Sequence, residues 1–192
     1  MHIAGGDLGS WRMGRIIRNM FPLLVVLSII VLWAGITLES AEDLLREYAI
    51  LAIIVPTMVD MGGNLGAILS SRLTSRFHLG MAVLDPRDRD LWANVAAIVA
   101  LAITIFVALA LGAYLLGLLL GIAIALPLLL TITLVSGFGI AVIAVVMSFG
   151  ATYASYRLGI DPDDTTIPIV TNIVDVAGMV IFISVSYIVL GG

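Results

Sequence analysis

Apolar residues in this chain are gathered into long stretches that short polar segments separate. A helix crosses the hydrocarbon core of a bilayer with about 17–25 predominantly apolar residues. The pattern therefore predicts an all-α integral membrane protein whose 192 residues form a single transmembrane domain of five helices. The predicted spans cover about residues 21–38, 48–70, 91–116, 122–155 and 167–190.

The boundary between the third and fourth spans lies within one long apolar stretch, from Leu91 to Tyr156. This stretch is too long for one span of about 20 residues, and three spans would leave no residues for turns. Two helices fit, with a turn near Gly117–Gly121 or just before Pro127, because proline is tolerated in a first helical turn. Gly117 and Gly121 also form a GxxxG pattern that packs membrane helices together, but a glycine-rich turn is the preferred interpretation.

Residues 7–19, before the first span, have an amphipathic pattern. Arg12, Arg15 and Arg18 recur every three residues, with apolar side chains between them. This pattern favours a helix that lies in the headgroup interface, and a disordered positive flank is the alternative. A secretory signal fits less well, because no small-residue cleavage site follows the first apolar stretch.

The charges predict how the chain is oriented. With five spans, eight of the nine arginines fall on one side of the membrane. Only Arg46 falls on the other side, beside Glu39, Glu42, Asp43 and Glu47. Positively charged loops stay in the cytoplasm, so we expect a cytoplasmic N-terminus and a C-terminus outside.

The composition agrees with a lipid environment. Hydrophobic residues make up 61% of the chain and charged residues 11%, whereas about 25% of residues are charged in a soluble domain. We therefore expect a multi-pass protein of the cell (inner or plasma) membrane, in contact with the lipid bilayer. No His, Cys or Ser–base set lies at depth, so an enzyme is not expected, and neither is a bound cofactor or a nucleic-acid partner.

Two aspartates interrupt the apolar spans at similar depths. Asp60 lies 13 residues after Glu47 and 12 before Arg72, which is about 18–20 Å from each polar end. Asp175 lies 11 residues after Asp164, or about 16 Å into its helix. An aspartate at the centre of a bilayer costs about 2.5–3.5 kcal/mol on insertion scales, so both carboxylates need compensation.

A bound cation is the preferred compensation, because no Arg or Lys lies at that depth; a proton relay and a structural, protonated aspartate are the alternatives. Asn64 shares a helix face with Asp60, and Thr171 and Asn172 share one with Asp175. Oxygen ligands of this kind suit hard cations, with Mg²⁺ favoured and Mn²⁺ or Ca²⁺ as alternatives.

Small residues and the number of helices point to a dimer. Gly62, Gly63 and Gly66 remove side-chain bulk beside Asp60, so that a backbone, water or an ion can approach. Five helices are few for a pore within one chain. A two-fold homodimer would contain each aspartate twice, at one depth in the membrane. Four carboxylates would then line a central path.

Two segments, PTMVDMGGNLGAILSSRLTSRFHLG (56–80) and GIDPDDTTIPIVTNIVDVAG (159–178), resemble the membrane domain of MgtE magnesium channels. The SRLTS and DPDD motifs are most similar to the related animal solute-carrier magnesium transporters. The resemblance implies a five-span homodimer whose pore is lined by the second and fifth helices. It also implies that Asp175 binds the ion and that Asn64 lines the path. Asp60 departs from the family pattern, which usually has a neutral residue there, and an extra carboxylate could alter ion choice or favour exchange.

The sequence thus predicts transport of a divalent cation, Mg²⁺ being favoured, through a path at a dimer interface. The predicted metal-binding residues are Asp175, Asp60, Asn64, Asn172 and Thr171, and no catalytic residue is predicted. A proton-coupled carrier of a small solute and a non-transporting membrane subunit are the alternatives.

Overall fold

The computed structural model describes residues 13–80, 87–158 and 162–191. Within these ranges the chain forms six α-helices and no strand. Their bounds are α1 Met13–Ser40, α2 Glu42–Glu47, α3 Ala49–His78, α4 Arg89–Leu120, α5 Leu126–Leu158 and α6 Pro162–Leu190. All except α2 are long and apolar enough to cross a membrane, which confirms the all-α architecture with five long helices and makes this a multi-pass membrane protein.

The amphipathic segment before the first span lies partly outside the residues that the structure describes. Residues 7–12, including Arg12, are outside the described residues. The chain is helical from Met13, and this helix runs without interruption into the first span. The interfacial orientation predicted for residues 7–19 therefore stays a prediction.

Helix α3 continues past the end of its apolar stretch. The predicted span ends near residue 70, but the helix continues to His78. Leu73 and Thr74 in this extension are buried. Packing against the bundle therefore stabilises helical turns after residue 70 that are too polar to be predicted as part of the span. The acidic segment before α3 forms the short helix α2, in which Arg46 pairs with Glu42 at 2.5 Å.

The turn between α4 and α5 occupies residues 121–125. Gly121 ends α4 with a φ of +72°, in the left-handed region that glycine favours. Gly117 lies in the last turn of α4, where an added Cβ would come within 2.9 Å of the Cα of Ala123. Gly117 therefore lets the returning chain pass close to its own helix, as a glycine-rich turn requires. Pro127 lies in the first turn of α5.

Helix α6 packs against α1, α3 and α5. Helix α4 packs on α5 and α3, and the ring of Phe106 fills the space that a side chain at Gly137 would need. Of the five long helices α3 is the most buried and α1 the least. The many exposed large apolar side chains on the outer faces, such as Leu32 and Trp33, suit contact with lipid.

Buried hydroxyl groups join α3 to α5. The Oγ of Ser70 donates to the Oγ of Ser148 at 3.1 Å, and the Oγ of Ser148 donates to the carbonyl oxygen of Gly66 at 3.1 Å. Within α5, Thr152 donates to the carbonyl oxygen of Ser148 at 2.6 Å. The two bonds between Ser148 and α3 fix the rotation of α3 about its own axis, and that rotation decides which of its side chains face outward.

Candidate functional site

Asp175 lies close to the middle of α6, 13 residues after Pro162 and 15 before Leu190. These separations correspond to about 20 Å and 22 Å along the helix axis. Asp60 is 11 residues after Ala49, the first residue of α3, or about 16 Å into that helix. Both carboxylates are therefore deep within helices that are apolar enough to span a bilayer.

Glycines on α3 allow α6 to approach closely. A Cβ on Gly66 would lie 2.7 Å from the Cγ1 of Val170 on α6. A Cβ on Gly62 would lie 2.6 Å from the Cγ2 of Ile140 on α5 and 3.4 Å from the Cγ1 of Val174 on α6. Contacts under 3.0 Å leave no room for a side chain, so this face of α3 must consist of glycine for the three helices to meet as they do.

Gly63, between these two contacts, lies against Asp175. A Cβ on Gly63 would collide with the Oδ1 of Asp175 and would lie 2.9 Å from the Cγ2 of Thr171. The missing side chain therefore leaves the space that the Asp175 carboxylate occupies. Gly63 brings the backbone of α3 into contact with the acidic group of α6.

The Oδ1 of Asp175 is buried and accepts no hydrogen bond within the described part of the chain. A buried polar atom without a partner is costly, and more so when it carries charge. An external partner, such as a cation, its water or a proton, would remove this cost. Asp175 is consequently the residue of the site with the clearest need for a ligand.

Asp60 and Asn64 form the second half of the site, on α3. The Nδ2 of Asn64 donates to the Oδ2 of Asp60 at 3.0 Å, and both side chains are exposed. Asp60 is close enough to Asp175 for its negative charge to act on that carboxylate. The salt bridges of the described residues, Arg46–Glu42 and Arg76–Asp88, involve neither aspartate. Two neighbouring carboxylates without a basic partner create a negative potential that attracts cations.

Asn172 is held on its own helix. Its Nδ2 donates to the carbonyl oxygen of Pro168 at 2.8 Å, and its side-chain oxygen remains an acceptor. Thr171 is adjacent and places its methyl group beside Gly63. The structure thus places Asp175 and Thr171 of α6 beside the turn of α3 that carries Asp60. The side chain of Asn172 instead forms its hydrogen bond with Pro168, within α6.

The candidate site is sparse. No group of three or more His, Cys, Asp or Glu side chains within the described ranges could hold a metal ion. Two carboxylates and neutral oxygens remain as potential ligands. Such a set suits a cation that keeps much of its hydration shell, and Mg²⁺ behaves in this way in proteins.

The outward face of α3 continues from this site in both directions. Pro56, Asp60, Asn64 and Ile68 follow one another at four-residue spacing, and all are exposed in the single chain. We call these four residues the open face of α3. A membrane helix with a charged residue on an exposed face needs protein or water there, because lipid does not solvate the charge.

The hydroxyl groups that orient this face were not predicted from the sequence. Ser148 and Thr152 are one helical turn apart in a predominantly apolar helix, which is a recognisable signal for an interhelical contact. Ser70 lies within a serine-rich stretch whose partner could not be read from local spacing. These residues position α3 rather than bind a ligand themselves.

Comparison with known proteins gives a single family. A family model described as MgtE, divalent cation transporter, matches residues 55–185. The match runs from the first half of α3 into α6 and includes Asp60, Asn64, Thr171, Asn172 and Asp175. A search of curated proteins finds no match. The family inferred from the two motifs is confirmed, while the closer likeness to the animal solute-carrier branch stays a prediction.

Proposed function

The chain belongs to the MgtE family of divalent cation transporters, and on this premise we propose that it carries Mg²⁺ across the membrane through a path between two copies of the chain. One observation carries the proposal. The buried Oδ1 of the Asp175 carboxylate accepts no hydrogen bond within the described residues, and this carboxylate is within electrostatic range of Asp60, which is exposed on the open face of α3. A hydrated divalent cation supplies both the charge and the hydrogen-bond donors that this arrangement lacks.

The open face of α3 supports the dimer. Asp60 and Asn64 are exposed in a single chain, and exposure of an aspartate to lipid at this depth is unfavourable. A second copy related by a two-fold axis along the membrane normal places its own open face opposite the first. The two faces then enclose a polar space and keep the charged groups away from lipid.

Within this path the aspartates act by electrostatic attraction. Asp175 is held against Gly63 by the close packing of α3 and α6, so its position changes little when an ion arrives. Mg²⁺ sheds water reluctantly, and the carboxylates therefore attract an ion that remains largely hydrated. Asn64, Thr171 and Asn172 hydrogen-bond the waters of the ion.

The family resemblance implies a neutral residue at the position where this chain has Asp60. Asp60 adds a second carboxylate beside Asp175 in each copy, and therefore four carboxylates in the dimer. The additional charge strengthens attraction of divalent cations over monovalent ones. Whether flux is passive or coupled to another ion then depends on how tightly four carboxylates retain Mg²⁺.

The test is Mg²⁺ uptake into proteoliposomes. Asp175→Asn keeps the size of the side chain but removes its charge, and we expect a fall of about tenfold or more, equivalent to losing roughly 1.4 kcal/mol of ion attraction. Asp43→Asn, an exposed acid in α2, is the matched control for loss of one negative charge. Wild-type flux in both Asp175→Asn and Asp60→Asn would refute the proposal.

A further inference from the structure

A polar cavity of about 480 Å³ opens where α3 ends and α4 begins. None of the proposed ion ligands contributes to it. Helix α3 supplies two serines and two arginines, and α4 supplies an acid, an amide and an alanine. The lining residues are Ser71, Arg72, Ser75, Arg76, Asp90, Ala93 and Asn94.

Arg72 is held at the wall of this cavity by a neutral partner. Its Nη1 donates to the Oδ1 of Asn94 at 3.0 Å, and the Nδ2 of Asn94 donates to the carbonyl oxygen of Asp90 at 2.7 Å. Asn94 therefore orients the guanidinium without neutralising it. No acid within the described ranges forms a salt bridge with Arg72, so its positive charge is available to a ligand.

Arg76 provides a second, more buried guanidinium. Its side chain is 12% exposed and pairs with Asp88, whose Oδ1 accepts a hydrogen bond from the backbone N–H of Asp90 at 2.9 Å. The Nε of Arg76 is buried and has no acceptor within the described residues. A buried N–H of a charged group without an acceptor is unfavourable, and an anion that enters the cavity can supply that acceptor.

The local charge is positive despite the acids nearby. Residues 72–90 contain the arginines 72, 76, 87 and 89 and the aspartates 85, 88 and 90, a net charge of +1. Asp90 also lines the cavity, and its negative charge disfavours binding of an anion. The first turn of α4 lies beside the cavity, and the positive end of its helix dipole favours anion binding.

The cavity lies at the level of lipid headgroups. The apolar part of α4 begins at Leu91, and the next residue, Trp92, has a side chain that is 58% exposed. Tryptophan and tyrosine collect at membrane interfaces. On the neighbouring helix Tyr156 packs on Phe77, with 4.5 Å between ring centroids, and the Arg157 guanidinium lies 5.4 Å from the ring of Tyr153. The distribution of arginines assigns this end to the cytoplasmic side.

We propose that this cavity binds the phosphate group of an anionic phospholipid from the cytoplasmic leaflet. A guanidinium presents a planar fork of N–H donors that matches phosphate oxygens, and the hydroxyl group of Ser71 adds a donor beside Arg72. Free phosphate from the cytosol offers the same chemistry. The depth of the cavity favours the lipid, whose phosphate is already concentrated at this level.

Retention of lipid by the purified full chain in neutral detergent tests the proposal. Native mass spectrometry would compare phosphatidylglycerol with phosphatidylcholine added at equal concentrations. We expect the wild-type chain to retain phosphatidylglycerol preferentially and Arg72→Gln to lower that retention about fivefold or more, because the variant loses a charge-assisted contact with the phosphate. Arg157→Gln, an exposed arginine on the same side of the membrane, is the matched control and should retain lipid as the wild type does.

A second arm identifies the source of the phosphate. Inorganic phosphate at fixed ionic strength would be added to the lipid-loaded chain. If the lipid stays bound, the result supports the lipid as the ligand. If millimolar phosphate displaces the lipid, the result indicates that the same cavity binds free phosphate as its ligand. Equal retention by wild type and Arg72→Gln, or an equal loss in Arg157→Gln, would overturn the proposal.

If Arg72→Gln does not fold, Asn94→Ala provides the second test. This variant keeps the charge of Arg72 but removes the amide that orients it, so retention should fall below that of the wild type. Unchanged retention in Asn94→Ala would contradict the role given to Arg72. The readout is independent of Mg²⁺ transport, and its failure therefore leaves the proposed function untouched.

Discussion

The carboxylate of Asp175 on α6 lies against the Cα of Gly63 on α3, in space that any larger residue at position 63 would fill. This contact couples the acidic group to the packing of two helices. The position of the carboxylate is therefore determined by the smallest side chain in the interface.

Substitution Gly63→Ala should displace the Asp175 carboxylate. The new Cβ would collide with Oδ1 of Asp175 and press on Thr171, and overpacking of this kind costs about 1–3 kcal/mol. We expect a lower melting temperature together with a loss of Mg²⁺ flux in proteoliposomes. Gly112→Ala is the control, because no atom lies within 4 Å of a Cβ at that position. Unchanged flux in Gly63→Ala would mean that the contact is not critical for transport.

Asp60→Asn should change ion selectivity. The substitution keeps the side chain next to Asn64 but removes one charge per copy. Coulomb attraction scales with the product of the two charges, so loss of one negative charge weakens the attraction of Mg²⁺ twice as much as that of Na⁺. Flux assays with Mg²⁺ and Na⁺ measure the ratio of the two fluxes, which should fall in the variant. Equal relative fluxes in the variant and the wild type would show that Asp60 takes no part in selection.

The two aspartates should not act independently, because both carboxylates attract the same ion. In the double variant Asp60→Asn/Asp175→Asn the loss of flux, expressed as free energy, should be smaller than the sum of the two single losses. Neighbouring residues typically show coupling of about 0.5–3 kcal/mol. Strict additivity in a double-mutant cycle would argue that the carboxylates serve different steps.

The proposed dimer predicts where cysteines will cross-link. The chain contains no natural cysteine, so any disulfide between two copies of a single-cysteine variant must form at the introduced residue. Ile68→Cys lies on the open face of α3 and should form a disulfide between two copies in native membranes. Val146→Cys on α5, whose native side chain is 62% exposed, should face lipid and stay monomeric under the same oxidant. The reverse pattern would place the dimer interface elsewhere.

Loss of the Ser148 hydroxyl should loosen α3 from α5. Ser148→Ala removes hydrogen bonds to Ser70 and to the carbonyl oxygen of Gly66. Interhelical hydrogen bonds in membranes contribute about 0.6 kcal/mol on average and up to about 1.7, and we expect a loss of unfolding free energy in this range. Ser184→Ala is the control, since its hydroxyl is exposed and bonds within its own helix. Equal stability of the two variants would show that the α3–α5 bond contributes nothing.

The sequence by itself determined the number and type of the long helices. Each long apolar stretch must satisfy its backbone hydrogen bonds internally in lipid, and this requirement makes it a helix whatever its neighbours are. The positions of Asp60 and Asp175 along their helices also predicted that both lie near the middle of the bilayer, since the rise per residue fixes depth. The sequence also located the turn of residues 121–125 within the range that Gly121 and Pro127 suggested.

Only the tertiary structure decided how the two aspartates differ. Asp175 is half-buried against Gly63, whereas Asp60 is exposed on the open face of α3. Depth depends on position along one helix, but exposure depends on rotation, and rotation is set by contacts such as Ser70–Ser148 between residues far apart in sequence. The ends of α3 and the cavity beside Arg72 depend on such contacts as well. Transfer of single residues into lipid decides which segments span the membrane, and packing between segments decides which side chains meet.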